Sequence, residues 1–313
     1  MNRVTIGKTG LSAFSIGLGA GVVGNTMMYP NVTEAMGKNL IHAAFDEGID
    51  FVDTAYLYGL GRSEELIGEA VNQRGNREKV VISTKLSPSP EYVNGTVKTD
   101  IRPSALRKAA EDALVRLKTD YIDILFLHFP DSRTPLGEAA NALADLRKEG
   151  KIRAIGASNL DFRQLQEFNA GGHLDVFQTE YSLLARHAEE HILPYCMEKE
   201  ISVIPFYPLA AGLLAGRYKA DDVFTDASRA NHPLFQCDAY LKNLKKVEKL
   251  KRFAEQKQAE PAQVALSWLL HQPGIDLIIP GATRPSQLKT NIKTANLHLS
   301  EDELKQMDQM FSY

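Results

Sequence analysis

The sequence predicts an α/β chain closed into a parallel eight-stranded (β/α)8 TIM barrel, and three observations predict it. Short apolar, β-branched runs alternate with longer amphipathic stretches along the whole chain. Eight such strand–helix repeats can be counted, most of them about 25 to 40 residues apart, as in a barrel of about 250 residues. Several runs are apolar throughout rather than alternating, which is the pattern of strands buried on both faces. The expected strands are 15–18, 51–54, 80–84, 122–127, 154–156, 176–179, 203–206 and 277–279.

Ahead of the first repeat, 4–6 and 13–16 flank Lys8-Thr9-Gly10, a hairpin turn expected to bring two short strands across the barrel floor. Thr33 before Glu34 suits a helix N-cap, and Pro103 and Pro261 suit first helical turns. Leu106, Ala109, Ala110, Ala113, Leu114 and Leu117 form one apolar stripe with helical spacing. Between the seventh and eighth strands, 220–236 is polar without a period, and a lysine-rich helix follows it. That insertion is expected to be a loop over one face. Ser300 and Glu303 make a capping box for a last helix.

The 313 residues, 44% hydrophobic and 24% charged, are long and apolar enough for a large core. Disordered, collagenous and disulfide-scaffold classes are thereby excluded. No low-complexity linker divides the chain, so one domain over 1–313 is expected. A net charge of −3 offers no basic excess for phosphate backbones or anionic lipid, so neither nucleic acid nor membrane is an expected partner. No apolar run approaches the roughly 18 residues of a bilayer span. The opening Met1-Asn2-Arg3-Val4-Thr5 has no apolar signal region. The two cysteines, Cys196 and Cys237, are too few for a disulfide framework. Free thiols in a reducing cytoplasm are the expectation.

Gly19-Ala20-Gly21-Val22-Val23-Gly24 spells a dinucleotide-binding fingerprint. A functional fingerprint opens a helix at once and has an acidic residue about 20 positions on. Here Asn25-Thr26-Met27-Met28-Tyr29-Pro30 follows, which is loop chemistry. The stretch reads better as a flexible first loop at the barrel mouth.

Barrel active sites lie at the C-terminal ends of the strands. The second strand ends in Asp53 with Tyr58 close behind, the third in Lys85 and the fourth in His128. Taken singly, Asp53 can cap a turn and Tyr58 can be a half-buried loop aromatic. Lys85 can be a solvated strand end and His128 a satisfied core histidine. Together, at three successive strand ends, they form an acid–base cluster. A lysine following Val80-Val81-Ile82-Ser83-Thr84 needs a partner, and Asp53 is the candidate. An ammonium beside a phenol is expected to lower its proton affinity, so that Tyr58 protonates a carbonyl oxygen as general acid with His128 on the same oxygen. Charge growing on that oxygen implies hydride arriving at the carbon, which no side chain supplies, so a nicotinamide cofactor is implied. A Schiff-base aldolase through Lys85 and a metal hydrolase through His128 and Asp131 are competing readings; no metal-ligand spacing supports the second.

These residues resemble the aldo-keto reductases over nearly the whole chain. The likeness rests on Gly48-Ile49-Asp50-Phe51-Val52-Asp53-Thr54-Ala55-Tyr56-Leu57-Tyr58-Gly59, Ser63-Glu64-Glu65-Leu66-Ile67-Gly68, Val80 to Lys85 and Thr119 to Asp131. It continues through Gly150 to Asn159, Gln178 to Leu184 and Pro208 to Gly216. Within the family the chain is most similar to bacterial reductases encoded with inositol-utilisation genes.

The resemblance implies an NADPH-dependent reductase of aldehydes or ketones, with Asp53, Tyr58, Lys85 and His128 as its catalytic tetrad and no metal. It implies that Ser158, Asn159 and Gln178 hold the nicotinamide carboxamide. Phe206 stands where the family usually has a tyrosine against the nicotinamide ring, and Tyr207 where a serine often contacts pyrophosphate. Leu209 and Gly212 are expected along the phosphate path, and Gly19, Ala20 and Asp53 beside the cofactor. Gly281 and Ala282 replace a common Lys-Ser pair; Thr283, Arg284, Gln287 and Asn291 follow, with Arg284 expected on the 2′-phosphate of NADP. Tyr29, Tyr58, His128 and Phe129 are the expected substrate contacts, with Tyr92 a further candidate wall in the loop 86–98. Monomers are common in the family, so a monomer or weak oligomer is expected. The same family contains cofactor-binding regulatory subunits, so a sensor with little turnover is the alternative.

Overall fold

The computed structural model describes residues 3–93 and 96–312, apart from the side chains of Ala227, Ser228 and Cys237. The Cys237 thiol and the opening Met1-Asn2 lie outside the described residues. In chain order the elements begin with β1 (Arg3–Thr5), β2 (Ser12–Phe14), β3 (Leu18–Gly19), α1 (Glu34–Asp46), β4 (Phe51–Asp53) and α2 (Arg62–Arg74). There follow β5 (Val81–Leu86), β6 (Glu91–Val93), β7 (Thr96–Lys98), α3 (Pro103–Leu117), β8 (Ile122–Leu127) and α4 (Leu136–Lys148). Then come β9 (Ile152–Ser158), α5 (Phe162–Phe168), β10 (Val176–Glu180), α6 (Ile192–Glu198) and β11 (Ser202–Phe206). The chain closes with α7 (Ala227–Ala230), α8 (Cys237–Gln256), α9 (Pro261–Leu270), α10 (Pro285–Lys293) and α11 (Glu301–Phe311).

Seven strands form one parallel sheet in the order β11–β10–β9–β8–β5–β4–β3. The segment 275–281 joins its two edges: Val203 bridges Ile275 on one side, while Ile16 bridges Ile278 and Gly19 bridges Gly281 on the other. The eighth strand expected at 277–279 is thus present only as isolated parallel bridges. Pro280 has no N–H to extend the ladder, although its carbonyl accepts from Gly19 N at 3.4 Å. The expected strand 15–18 likewise shrinks to Leu18–Gly19.

The all-apolar strands follow from burial on both faces. Along β8, Ile124 and Phe126 join one apolar cluster with Phe51, Val81, Ala154, Val176, Ile204 and Leu277. Ile122, Leu125 and Leu127 instead join a larger cluster with Leu106, Ala110, Leu143 and Leu165 of the helices. Strands β1 and β2 pair antiparallel with Val4 opposite Ala13, one or two residues earlier than the sequence suggests. Ile6, Leu11 and Ala13 of this hairpin pack into the first cluster. Phe14 N donates to Asp50 just ahead of β4, and Gly7 N to Asp276 just ahead of the last bridges.

Thr33 Oγ1 caps α1 by accepting from Met36 N, α3 and α9 start at Pro103 and Pro261, and Ser300 and Glu303 form the capping box of α11. After Gly19-x-Gly21-x-x-Gly24 no helix begins until Glu34, and Asn25 Nδ2 instead closes a turn on the Gly21 carbonyl. Two expected loops carry structure of their own. The stretch 220–236 holds α7 and a 3-10 turn at Pro233–Phe235. The loop after β5 holds the two-stranded ribbon β6–β7, with Tyr92 directly opposite Val97. Among the described residues no helix is long and apolar enough to cross a membrane.

Helix α2 meets the end of α3 so closely that a Cβ at Gly68 would lie 2.5 Å from the Leu117 carbonyl oxygen. Gly68→Ala is expected to destabilise the fold by about 1–3 kcal/mol through overpacking. It should lower the urea midpoint with an unchanged slope.

Candidate active site

Three neighbouring strands deliver the charged groups. Register places Asp53 beside Ser83 and Lys85 beside Phe126, so β4, β5 and β8 end together. Lys85 and Asp53 are each only 2% exposed. Lys85 Nζ donates to Asp53 Oδ2 at 2.6 Å and to the Thr54 carbonyl at 2.9 Å. The other oxygen of Asp53 accepts from Ser83 Oγ at 2.7 Å and from Gln178 Nε2 at 2.8 Å. One carboxylate thus gathers donors from β5 and β10. Lys85 Nζ also sits 5.1 Å from the centroid of the Tyr58 ring, which meets the His128 ring edge-on at 6.5 Å.

All four groups line one cavity of about 570 Å³. Of the other predicted residues, Gly19, Tyr29, Phe129, Ser158, Asn159, Gln178, Phe206, Tyr207, Leu209, Gly212, Gly281, Thr283 and Gln287 border the same space. Ala20, Arg284 and Asn291 do not. Ala20 is fully buried with its N–H on the Asp53 carbonyl, and Asn291 is buried in α10. Arg284 is exposed at the start of α10, next to Thr283 and Gln287, and makes no ion pair among the described residues. Tyr92 and Val97 bring the β6–β7 ribbon to the cavity as well.

Lys85 and Tyr58 depart from the expected acid–base arrangement. Tyr58 keeps part of its surface open to the cavity, yet its phenol holds its proton more tightly than a free tyrosine. Burial is the main cause, followed by the Asp53 carboxylate and Tyr207. The expectation that Lys85 makes this phenol more acidic is therefore corrected. The ammonium is already neutralised by Asp53, so little net positive field reaches the ring, and desolvation of a phenolate dominates. Lys85 is itself pulled below its usual value by burial, which Asp53 opposes. His128 is driven well below 6.5, first by burial and then by Lys85, so the imidazole is neutral. Burial pushes Tyr29 up to about 12.

Behind Lys85 lies a carboxylate that reading strand ends alone does not single out. Glu64 is fully buried, accepts from Thr84 Oγ1 at 2.6 Å and pairs with Arg116 Nε at 2.6 Å. Its place in the first turn of α2 gives it the look of a solvated helix residue. The turns around the cavity also carry left-handed non-glycine backbone at Asn159, Tyr207 and Ala211, with φ between 50° and 55°. Such strain collects at functional sites, and residue types alone do not reveal it.

The groups present fit a nicotinamide dinucleotide. Ser158, Asn159 and Gln178 offer the amide and hydroxyl chemistry that a carboxamide pairs with. Phe206 offers a ring face. At Gly21 and Gly281 a Cβ would come no closer than 3.8 Å to any residue beyond the adjoining ones in the chain, so side chains there would fill open cavity rather than core. Among the described residues no group of three or more His, Cys, Asp or Glu is placed to hold a metal ion.

Because His128 is neutral in the fold but has an ordinary pKa when unfolded, the unfolded chain binds the extra proton below about pH 6.5. Stability therefore falls as the pH drops through that value, by at most about 1.4 kcal/mol per pH unit from this group. His128→Asn should flatten the pH dependence of the unfolding free energy between pH 6.5 and 5, measured in urea.

The Aldo/keto reductase family profile matches residues 15–311. The aldo-keto reductase YhdN of Bacillus subtilis is 34% identical over 310 residues, covering 98% of this chain and 93% of that protein. The NADH-specific methylglyoxal reductase of Escherichia coli is 32% identical over 322 residues, covering 99% and 98%. Among solved structures, the glycerol dehydrogenase AKR11B4 from Gluconobacter oxydans superposes with a TM-score of 0.89 at 32% identity, covering 99% of this chain and 95% of that one. An aldo-keto reductase from Klebsiella pneumoniae in complex with NADPH does so with a TM-score of 0.76 at 29% identity, covering 99% and 95%. With a family match over almost the full length and relatives above 30% identity, the chain belongs to the aldo/keto reductase family of oxidoreductases.

Proposed function

We propose that this protein is an NADPH-dependent reductase of small aldehydes or ketones, with Tyr58 as the general acid. What carries the reading is a protonated phenol, a neutral imidazole and a carboxylate-bound ammonium sharing one cavity that Ser158, Asn159 and Gln178 also line. We further infer a single-domain (β/α)8 barrel whose floor is the β1–β2 hairpin. The packing of Ile6, Leu11 and Ala13 among the inward-facing strand residues supports this.

Bound nicotinamide in its reduced form supplies the hydride. Tyr58 gives its phenolic proton to the carbonyl oxygen as negative charge grows there. Its raised proton affinity keeps the donor charged with its proton at rest, while an alkoxide is basic enough to take that proton. Lys85 acts when the phenolate forms: its ammonium, held by Asp53 and the Thr54 carbonyl and 5.1 Å from the centroid of the Tyr58 ring, then stabilises the new negative charge. His128, uncharged, directs a ring nitrogen to the same oxygen. Ser158, Asn159 and Gln178 orient the nicotinamide carboxamide, and Gln178 passes that constraint to Asp53. Phe206 packs on the ring. Arg284, exposed beside Thr283 and Gln287, offers its planar guanidinium to the 2′-phosphate.

The substrate end is aromatic. Tyr29, Phe129 and Tyr207 line it together with Tyr92 and Val97 of the ribbon. Apart from Lys85, the cation lining the cavity among the described residues is Arg229, which is engaged by Asp226 and the Tyr218 hydroxyl. This favours uncharged carbonyl compounds over carboxylates.

Tyr58→Phe is expected to lower kcat for aldehyde reduction about 10²–10⁴-fold while leaving the NADPH dissociation constant unchanged. Full activity in that variant, measured by NADPH oxidation, removes the role. A wild type that binds NADPH tightly but turns over none of a panel of aldehydes and ketones would instead support the sensor reading. Arg284→Ala is expected to weaken NADPH about tenfold or more with little effect on NADH, by fluorescence titration. Equal losses for both nucleotides remove the 2′-phosphate assignment.

A further inference from the structure

We propose that Ser87 is a positioning residue that fixes the tautomer of His128; this rests on the role given to His128 above. Ser87 follows β5 and is 1% exposed. Its Oγ lies 3.2 Å from His128 Nδ1. The two residues are brought together by the sheet itself, since His128 N donates to the Leu86 carbonyl at 3.2 Å. Among the described residues neither Ser87 Oγ nor His128 Nδ1 has another side-chain or backbone partner.

This isolation sets the direction of the bond. A serine hydroxyl has one proton to donate, and a buried hydroxyl left without an acceptor is unfavourable. The Nδ1 lone pair is the acceptor within reach. If Nδ1 carried the ring proton, it would donate to Ser87 Oγ and the hydroxyl proton would have no acceptor among the described residues. Ser87 O–H therefore donates to Nδ1, and the proton of the neutral ring sits on Nε2.

That tautomer is the useful one. With Nδ1 held by Ser87 and the ring edge-on to Tyr58, Nε2–H is the donor left for a carbonyl oxygen in the cavity. The other tautomer would aim a lone pair at an oxygen that is becoming negative. Phe129, whose ring lies 4.5 Å from the imidazole and tilted by 31°, restricts ring flipping but cannot distinguish the nitrogens.

The test uses the full-length protein labelled with 15N-histidine. The His128 resonances are assigned by their loss in His128→Asn. Wild type is expected to show a pyrrole-type Nε2 and a pyridine-type Nδ1, with or without NADP+. Ser87→Ala should give a mixture of tautomers and lower kcat about tenfold, with the NADPH dissociation constant unchanged. Ser87→Thr should restore both. A wild-type ring protonated on Nδ1 overturns the proposal, as does a Ser87→Ala protein with unchanged tautomer or unchanged kcat. The nitrogen spectrum needs no turnover, so a wild type with the expected tautomer but no carbonyl reduction would count against the catalytic reading alone.

Discussion

An ammonium walled off from water must have an anion against it, and in this protein that anion is Asp53. Removing the two charges from solvent is unfavourable by several kcal/mol each. The arrangement holds because nearly every hydrogen-bonding position is used: Asp53 takes Lys85 on one oxygen and Ser83 with Gln178 on the other. Two consequences follow. The carboxylate pins together the ends of β4, β5 and β10, and it opposes the field of Lys85 at the Tyr58 ring. Taking away either partner would leave the other uncompensated, a far larger loss than the net worth of the pair.

The proton chemistry is best understood from that neutrality. Burial is the largest influence on the neighbouring groups, reinforced by Asp53 and Tyr207 at Tyr58 and by Lys85 at His128: the phenol keeps its proton and the imidazole stays uncharged. The resting cavity is therefore stocked with neutral hydrogen-bond donors. Counting the ammonium without its counter-ion predicts an acidified phenol; counting both predicts a phenol that waits. A donor of this kind suits reduction, in which the accepting oxygen becomes strongly basic only as the carbon is attacked.

Much of the barrel was legible because its strands are buried twice over. Runs such as Ile124 to Leu127 are apolar on consecutive residues, and alternate positions serve the two clusters on either side of the sheet. Strand-end reasoning also brought Asp53, Lys85 and His128 to one mouth. It failed where short-range pattern carries no information. The β6–β7 ribbon is too short and polar to announce itself, and 277–279 looks like a strand yet the chain there makes only scattered bridges. Glu64 resembles any acidic residue in a first helical turn, and only the packed fold reveals its burial between Thr84 and Arg116. Arg284 stands out by type, but the geometry of α10 leaves it outside the cavity wall. The contact of Ser87 with His128 joins residues 41 positions apart, which no local reading can supply.

The ribbon between β5 and α3 is fastened mainly at its base. Asp100 N and Thr99 Oγ1 both reach the Pro88 carbonyl, and Ile101 N reaches Asp131. Beyond that clasp, Tyr92 and Val97 meet the cavity without belonging to either apolar cluster. The segment is thus an exchangeable cassette. Evolution or an engineer can swap its length and side chains to retune what the mouth admits, while the Lys85–Asp53 ion pair and the two apolar clusters beneath stay as they are.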